Sequence, residues 1–212
     1  MGGTDFMKLI YGTSNLSKLE SMVKMLDGLN INLTDLKSLD MDLIESEETG
    51  KDPLSNATQK AISYYKQIEK PVFSCDSGLF FEGVTDKDQP GVLIKRIHGK
   101  NLSYREMLNY YSKLAAKYGG RLIAYYKNSI CLVMDKDNIY KYDGKDICSE
   151  KFYLVERSHE KYREGFPLDS LSVEMKSMKY YYDLEDDKSD NLGVIKGFRD
   201  FFIRSLDDFS NI

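Results

Sequence analysis

The first part of the chain alternates between two patterns of hydrophobic residues, one typical of strands and one typical of helices. Short apolar runs predict β-strands at 8–12, 31–36 and 71–75. Between them, apolar positions three and four residues apart predict helices over 17–26, with Ser17 as N-cap, and over 53–68, with proline in the first turn. Strands and helices that alternate in this way favour an α/β layer architecture.

The second part of the chain adds a different set of elements. A long loop containing glycine and proline is expected over 82–99, followed by a helix over 104–118. Further strands are predicted at 122–134, 139–142 and 151–155, the first two forming a hairpin. A final helix is expected to begin at Gly193 or Phe198 and to end at Leu206.

These elements together predict an α/β fold with an elongated mixed sheet, flanking helices and two lobes. We expect a single domain over 1–212, which is long enough to bury a sound core. The first strand begins naturally at Met7, so 1–6 is expected to be a disordered or detachable start.

Charge and cysteine content narrow the class of ligand and the compartment. A net charge of −4 argues against a general nucleic-acid-binding surface and is compatible with one small-molecule pocket. Three widely spaced cysteines without a C-x-x-C pair indicate neither a disulfide framework nor a zinc knuckle, so a cytoplasmic protein is expected. The chain has no apolar run of membrane-spanning length, and we expect no membrane partner.

Polar residues at the ends of the predicted strands suggest phosphate chemistry. Asp76 follows the strand over 71–75 in what reads as an acidic turn, and a second acidic cluster lies at 45–50. The segment 11–18 leads from a strand into a helix, where N–H groups, hydroxyls and a lysine can hold phosphates. Carboxylates near such a loop point to metal-assisted chemistry on a nucleoside triphosphate.

Each of these patterns is weak alone, but their order resembles the inosine/xanthosine triphosphate pyrophosphatase family. The family's T-G-N-x-x-K motif is similar to 13–18, where serine replaces the glycine, and E-E-T-G is unchanged at 47–50. The remaining similar blocks are E-N-A-x-x-K-A, D-D-S-G-L, P-G-V and A-R-Y-x-G, which correspond to 55–61, 75–79, 90–92 and 96–99.

The resemblance becomes weaker beyond residue 100. The family's G-F-G-Y-D block is similar to 165–169, where Pro167 and Leu168 replace the glycine and the aromatic residue. The family's S-H-R triplet is absent. The segment 194–197 takes its position, and Lys196 is the only residue there that could replace the arginine. Base preference is therefore open: another purine or a pyrimidine nucleotide is the alternative to inosine or xanthosine triphosphate.

The resemblance implies hydrolysis of a non-canonical purine nucleoside triphosphate to the monophosphate and pyrophosphate, in a nucleotide cleft between the lobes of a homodimeric enzyme. It assigns the general base and a metal contact to Asp76 and a second metal contact to Glu48, with Mg²⁺ as cofactor and Mn²⁺ as the alternative. The implied phosphate-binding residues are Thr13, Ser14, Asn15, Lys18, Lys60 and Ser77. The implied base-binding residues are Phe166, Asp169, Lys188 and Lys196.

Cys75 is the main departure from the family pattern, because it stands where the family has the first aspartate of D-D-S-G-L. A thiol is a poor ligand for Mg²⁺. A catalytically weakened nucleotide-binding or regulatory protein is therefore the alternative function. We do not expect Cys75 to be a nucleophile, because the sequence identifies no histidine partner near it.

Overall fold

A computed structural model describes residues 6–97, 99–163, 165–184 and 192–211. The strands are β1 Met7–Tyr11, β2 Ile31–Asp35, β3 Val72–Phe81, β4 Arg96–Ile97, β5 Lys100–Asn101, β6 Arg121–Val133, β7 Ile139–Tyr142, β8 Phe152–Val155 and β9 Ser172–Glu174. The α-helices are α1 Leu16–Met25, α2 Pro53–Ile68, α3 Tyr104–Lys117 and α4 Leu192–Ser210. The predicted start over 1–6 lies outside the described residues except for Phe6.

Seven of the described strands form one mixed sheet. Its order is β2-β1-β3-β6-β8-β9, and β7 pairs with β6 beside this path. Strand β1 is parallel to β2 and β3, whereas β6 runs antiparallel to β7 and β8. The predicted fold class, a large mixed α/β sheet with flanking helices, is confirmed.

The described chain divides into two compact units. Unit 1 contains 6–77, 128–147 and 192–211. In it, Phe73 and Phe202 anchor a core between the sheet, α1 and α4, with their rings 5.0 Å apart edge to face. A second core packs Ala57 and Ala61 of α2 against Val72. Unit 1 therefore has apolar cores built from both α2 and the α1–α4 pair.

Unit 2 contains 78–127 and 148–184 of the described chain. Its core places Met107 and Tyr111 of α3 against Leu79 and Phe81 of β3. Helix α3 begins with a capping box, in which Ser103 and Glu106 satisfy each other's backbone N–H groups. The helix predicted over 104–118 forms over Tyr104–Lys117, and the capping box sets its N-terminus.

Three local predictions were wrong, the first being that the final helix ends at Leu206, since it continues to Ser210. The strand expected to end at Cys75 continues to Phe81. The burial of Leu79 and Phe81 under α3 stabilises the extended backbone beyond Cys75. The N-cap of α1 is Asn15 and not Ser17, because the Asn15 side chain accepts the N–H of Lys18 at 3.3 Å. Asp76 consequently lies within a strand and not in a turn.

Candidate active site

The candidate site is centred on Asp76, whose side chain points from β3 toward α2 in unit 1. Its Oδ2 accepts a hydrogen bond from Asn56 Nδ2 at 3.1 Å, and its Oδ1 lies 3.4 Å from Lys60 Nζ. Asn56 and Lys60 are four residues apart, so one face of α2 presents both groups. Asp76 is only 7% exposed, and burial raises the pKa of its carboxyl although the Lys60 ammonium opposes this effect.

Glu48 reaches the same ammonium from the loop that precedes α2. Its Oε1 lies 2.7 Å from Lys60 Nζ, so one cation bridges the carboxylates of Glu48 and Asp76. The Glu48 side chain is 42% exposed and that of Asp76 is 11% exposed. Burial lowers the pKa of Lys60, but the two carboxylates more than offset it and hold that pKa above its ordinary value.

Side chains of α2 fix the loop that carries Glu48. The Thr49 N–H donates to Gln59 Oε1 at 3.2 Å, and Gln59 Nε2 donates to Thr49 Oγ1 at 3.2 Å. The Gly50 N–H donates to Asn56 Oδ1 at 2.8 Å. A Cβ at Gly50 would lie 2.6 Å from Asn56 Oδ1, so this close approach requires glycine.

The predicted phosphate loop connects β1 to α1 in the same unit. Thr13 Oγ1 accepts the Asn15 N–H at 3.2 Å and Asn15 caps the helix, so both side chains order the turn. Ser14 is exposed. The helix N-terminus and the adjacent lysine form a positively polarised end that suits an anion.

Lys18 lies in the electrostatic field of the carboxylate site. The pKa of Lys18 is lowered overall, mainly by burial and then by the neighbouring Lys60 ammonium. The charges of Asp76 and Glu48 oppose this effect. The predicted residues Lys18, Glu48, Lys60 and Asp76 are therefore brought together in unit 1.

Gly12 permits the close contact between the phosphate loop and β3. Ser74 Oγ donates to Gly12 O at 3.2 Å, and a Cβ on Gly12 would lie 2.3 Å from that same hydroxyl oxygen. The Gly12 N–H donates to Phe73 O at 2.7 Å. The loop therefore begins directly against the strand that carries Asp76.

Cys75 does not join Asp76 in a pair of metal ligands. Successive strand side chains face opposite ways, and Cys75 packs against the α1–α4 core where its thiol hydrogen-bonds to Tyr11. Burial raises the pKa of the thiol to about 12, although the Tyr11 bond and the Lys18 ammonium lower it. The side chain is therefore a neutral thiol at neutral pH.

Ser77 is anchored by an asparagine on the neighbouring strand. Its Oγ donates to Asn128 Oδ1 at 2.7 Å, and Asn128 Nδ2 donates to Ile147 O at 2.7 Å. The hydroxyl proton of Ser77 is therefore engaged within unit 1, while its oxygen lone pairs can accept.

Two of the predicted base-binding residues lie together in unit 2. Phe166 precedes a 3₁₀ turn over Pro167–Leu171, and the Arg163 guanidinium carbon lies 4.6 Å from the centre of its ring. Asp169 lies within that turn; burial, and to a smaller extent the charge of Asp169, raises the pKa values of Tyr126 and Tyr181. Burial raises the pKa of Asp169 to about 6, against a smaller opposing effect of Arg163.

The other two predicted base-binding residues are lysines. Lys188 lies outside the described residues. Lys196 belongs to α4 in unit 1, pairs with Asp200 one turn later, and has a side chain that is 75% exposed. The segment 194–197 also has a packing role, because Val194 is buried in the α1–α4 core and a Cβ on Gly197 would lie 2.5 Å from Asp146 O.

Sequence reasoning assigned no role to Asn56 or Asn128. Asn56 lies in the helix segment similar to E-N-A-x-x-K-A, four residues before Lys60, and that spacing could have marked it. Asn128 interrupts the long strand β6, and a polar residue in such a strand signals a buried hydrogen bond.

A metal centre made by protein ligands alone is not present in the described part of the chain. Within it, no three or more His, Cys, Asp or Glu side chains are grouped closely enough to hold a metal ion. Mg²⁺ commonly uses one or two carboxylates together with substrate phosphates, so Glu48 and Asp76 remain a chemically suitable pair.

Comparison with known proteins identifies the family. The model of the Ham1 family matches residues 9–148. The chain belongs to the Ham1 family. This membership confirms the resemblance drawn from the sequence motifs.

Individual Ham1-family relatives are moderately similar in sequence. A protein of Clostridium tetani named dITP/XTP pyrophosphatase is 29% identical over 143 residues, which cover 65% of this chain and 68% of that protein. Proteins of the same name from Hydrogenobaculum sp. and Geobacter sulfurreducens are each 35% identical over 99 and 96 residues. These two matches cover 43% and 45% of this chain and 45% and 47% of the relatives. The chain thus spans about half the length of these two relatives.

Solved Ham1 structures have the same fold. A HAM1 protein from Coxiella burnetii superposes with a TM-score of 0.72 at 19% identity, covering 94% of this chain and 100% of the other. The Staphylococcus aureus Ham1 protein gives 0.67 at 20% identity, covering 92% and 97%. At this level of identity the likeness shows the fold alone.

Among the described residues, no helix combines the length and the apolar character needed to cross a membrane.

Proposed function

We propose that the protein hydrolyses non-canonical purine nucleoside triphosphates, of the inosine or xanthosine type, to the monophosphate and pyrophosphate. The observation that supports this most directly is the grouping of Asp76, Glu48, Lys60 and Lys18 beside the loop at the start of α1. It combines buried carboxylate with positive charge, which phosphoryl chemistry needs. The names of the relatives suggest the substrate class.

The residues present fit a divalent cation that arrives with the substrate. One ammonium already lies between the Glu48 and Asp76 carboxylates, so this position attracts positive charge. We propose that these two side chains hold Mg²⁺, with Mn²⁺ as the alternative ion. When bound, the ion supplies charge neutralisation on the phosphate oxygens.

Asp76 is proposed as the general base toward the attacking water. Burial raises the pKa of its carboxyl, and a carboxylate of raised pKa accepts a proton more readily. The Asn56 amide and the Lys60 ammonium bind its two oxygens and fix its orientation. A base held in this way loses little entropy when the water is aligned.

The loop at 13–18 is proposed to hold the phosphates. Thr13 and Asn15 order the turn, so that the N–H groups at the start of α1 are aligned for an anion. Lys18 adds one positive charge, and Ser14 and Ser77 offer further hydroxyl contacts. Lys60, whose ammonium lies between the Glu48 and Asp76 carboxylates, would also neutralise phosphate charge.

Recognition of the base is proposed for Phe166 and Asp169 in unit 2. The Phe166 ring can stack on a base, and a carboxyl of pKa about 6 can either donate or accept a hydrogen bond near neutral pH. Lys188 and Lys196 remain predictions from the family resemblance, and the ion pair of Lys196 with Asp200 favours a structural role for that lysine.

The neutral thiol at Cys75 favours one second candidate, a nucleotide-binding protein with weakened catalysis. Turnover by the native protein separates the two proposals. Nucleotide binding with near-zero turnover supports the weakened protein, whereas an active native protein supports the enzyme.

The proposed function is tested by initial rates of pyrophosphate release from inosine, xanthosine, adenosine, guanosine and pyrimidine nucleoside triphosphates, with Mg²⁺ and separately with Mn²⁺. We expect inosine and xanthosine triphosphates to be the fastest substrates and Asp76→Asn to abolish turnover. Asp137→Asn is the matched control, because its side chain is 76% exposed in a surface turn and should keep the native rate. Nucleotide binding without turnover on any substrate would contradict the proposal.

Two further proposals rest on family resemblance. We propose a homodimer, which light scattering after size-exclusion chromatography tests, and a cytoplasmic location, which cell fractionation tests.

A further inference from the structure

We propose that Asn56 is a positioning residue that couples the Glu48 loop to the Asp76 carboxylate, so that the two carboxylates are set as one unit. This inference rests on the proposed function, because it concerns the orientation of its general base. The coupling itself is a property of the protein without substrate and can be measured separately.

The amide of Asn56 binds both partners at once. Oδ1 accepts the Gly50 N–H at 2.8 Å, and Nδ2 donates to Asp76 Oδ2 at 3.1 Å. The orientation of the amide follows from these partners, since a backbone N–H only donates and a carboxylate only accepts. Asn56 is 2% exposed, so the two hydrogen bonds are made away from water.

The amide leaves little freedom to either partner. A Cβ on Gly50 would lie 2.6 Å from Asn56 Oδ1 and 2.7 Å from the Ser55 Cβ, so the loop backbone is pressed against the start of α2. Asp76 is bound at Oδ2 by Asn56 and at Oδ1 by Lys60, which also binds Glu48. A shift of the loop backbone at Gly50 is therefore transmitted to the base through Asn56, in addition to the Lys60 bridge from Glu48.

Gln59 provides an internal comparison. It binds the same loop through Thr49, with two hydrogen bonds at 3.2 Å. The described hydrogen bonds to Asp76 come instead from Asn56 and Lys60. Loss of Gln59 thus loosens the loop alone, whereas loss of Asn56 loosens the loop and the base together.

The first experiment compares Asn56→Ala with Gln59→Ala in steady-state kinetics. Substitution of a residue that orients a functional ligand typically costs about 10- to 100-fold in activity. We expect kcat to fall by about that factor in Asn56→Ala with KM within about twofold, and both constants within about twofold of native in Gln59→Ala. Equal losses in the two variants, or a native kcat in Asn56→Ala, would overturn the proposal.

The second experiment needs no turnover and uses amide hydrogen exchange in the protein without nucleotide. In Asp76→Ala, the Asn56 amide loses its acceptor and is free to move, so exchange of the Gly50 N–H should become at least about tenfold faster. The Thr49 N–H, held by Gln59, should keep its native exchange rate.

These outcomes distinguish failure of the Asn56 coupling from failure of the proposed function. Unchanged exchange at Gly50 in Asp76→Ala would overturn the coupling even in an active enzyme. Faster exchange at Gly50 in a protein that lacks turnover would support the coupling and contradict the proposed function. The Asp76→Ala measurement also stands if Asn56→Ala does not fold.

Discussion

Asp169→Asn should stabilise the protein at alkaline pH and not at acid pH. The carboxyl of Asp169 is partly buried near Tyr126 and Tyr181, and this burial raises its pKa from 3.8 to about 6. The folded protein therefore holds this proton more tightly than the unfolded chain. The stability that the group contributes is fully present below pH 4 and is lost as the pH rises through about 6.

The magnitude follows from the two pKa values. The difference between 3.8 and about 6 corresponds to about 3 kcal/mol of unfolding free energy. An asparagine has nearly the same shape and carries no charge at any pH. The unfolding free energy of the variant relative to the native protein should therefore rise by up to about 3 kcal/mol between pH 4 and pH 8.

Urea unfolding of both proteins at pH 4 and pH 8 measures this difference. Asp86→Asn is the control for the loss of one carboxylate, because that side chain is exposed on the surface of unit 2. A difference between Asp169→Asn and native that is the same at pH 4 and pH 8 would refute the reasoning.

Three other substitutions or reactions test separate parts of the structure. Gly12→Ala should cost about 1–3 kcal/mol in urea unfolding, because its Cβ would lie 2.3 Å from Ser74 Oγ; an unchanged midpoint would contradict the packing. Ser103→Ala should cost about 1 kcal/mol by removing the α3 N-cap, and thermal unfolding that matches the native protein would argue against the capping box. Cys75 should react with iodoacetamide about 10³-fold more slowly than a thiol of pKa 9, as peptide mapping can measure; rapid labelling in the folded protein would be inconsistent with a neutral, partly buried thiol.

Local sequence signals predicted the helices of the first part well. The N1 proline and apolar spacing gave α2 as Pro53–Ile68, which the structure reproduces. Strand β3 was predicted too short because Asp76, Ser77 and Gly78 are typical of turns, and the burial of Leu79 under α3 is a tertiary effect that no local pattern contains. Strand β9 was missed for a similar reason, since its pairing with β8 is long-range.

The family motifs predicted which residues form the candidate site, but not how those residues contact one another. Glu48, Lys60 and Asp76 were all identified, but their ion-pair arrangement and the bridge through Asn56 depend on how α2 packs on β3. The motif placed Cys75 beside Asp76 in sequence. Only the alternation of side chains in β3 shows that the thiol faces Tyr11 instead.

The most direct test of the central claim is phosphorus NMR of xanthosine triphosphate incubated with the protein and Mg²⁺. We predict equal amounts of pyrophosphate and nucleoside monophosphate, formed by the native protein and not by Asp76→Asn. Release of orthophosphate, or equal turnover by the native protein and Asp76→Asn, would contradict the account.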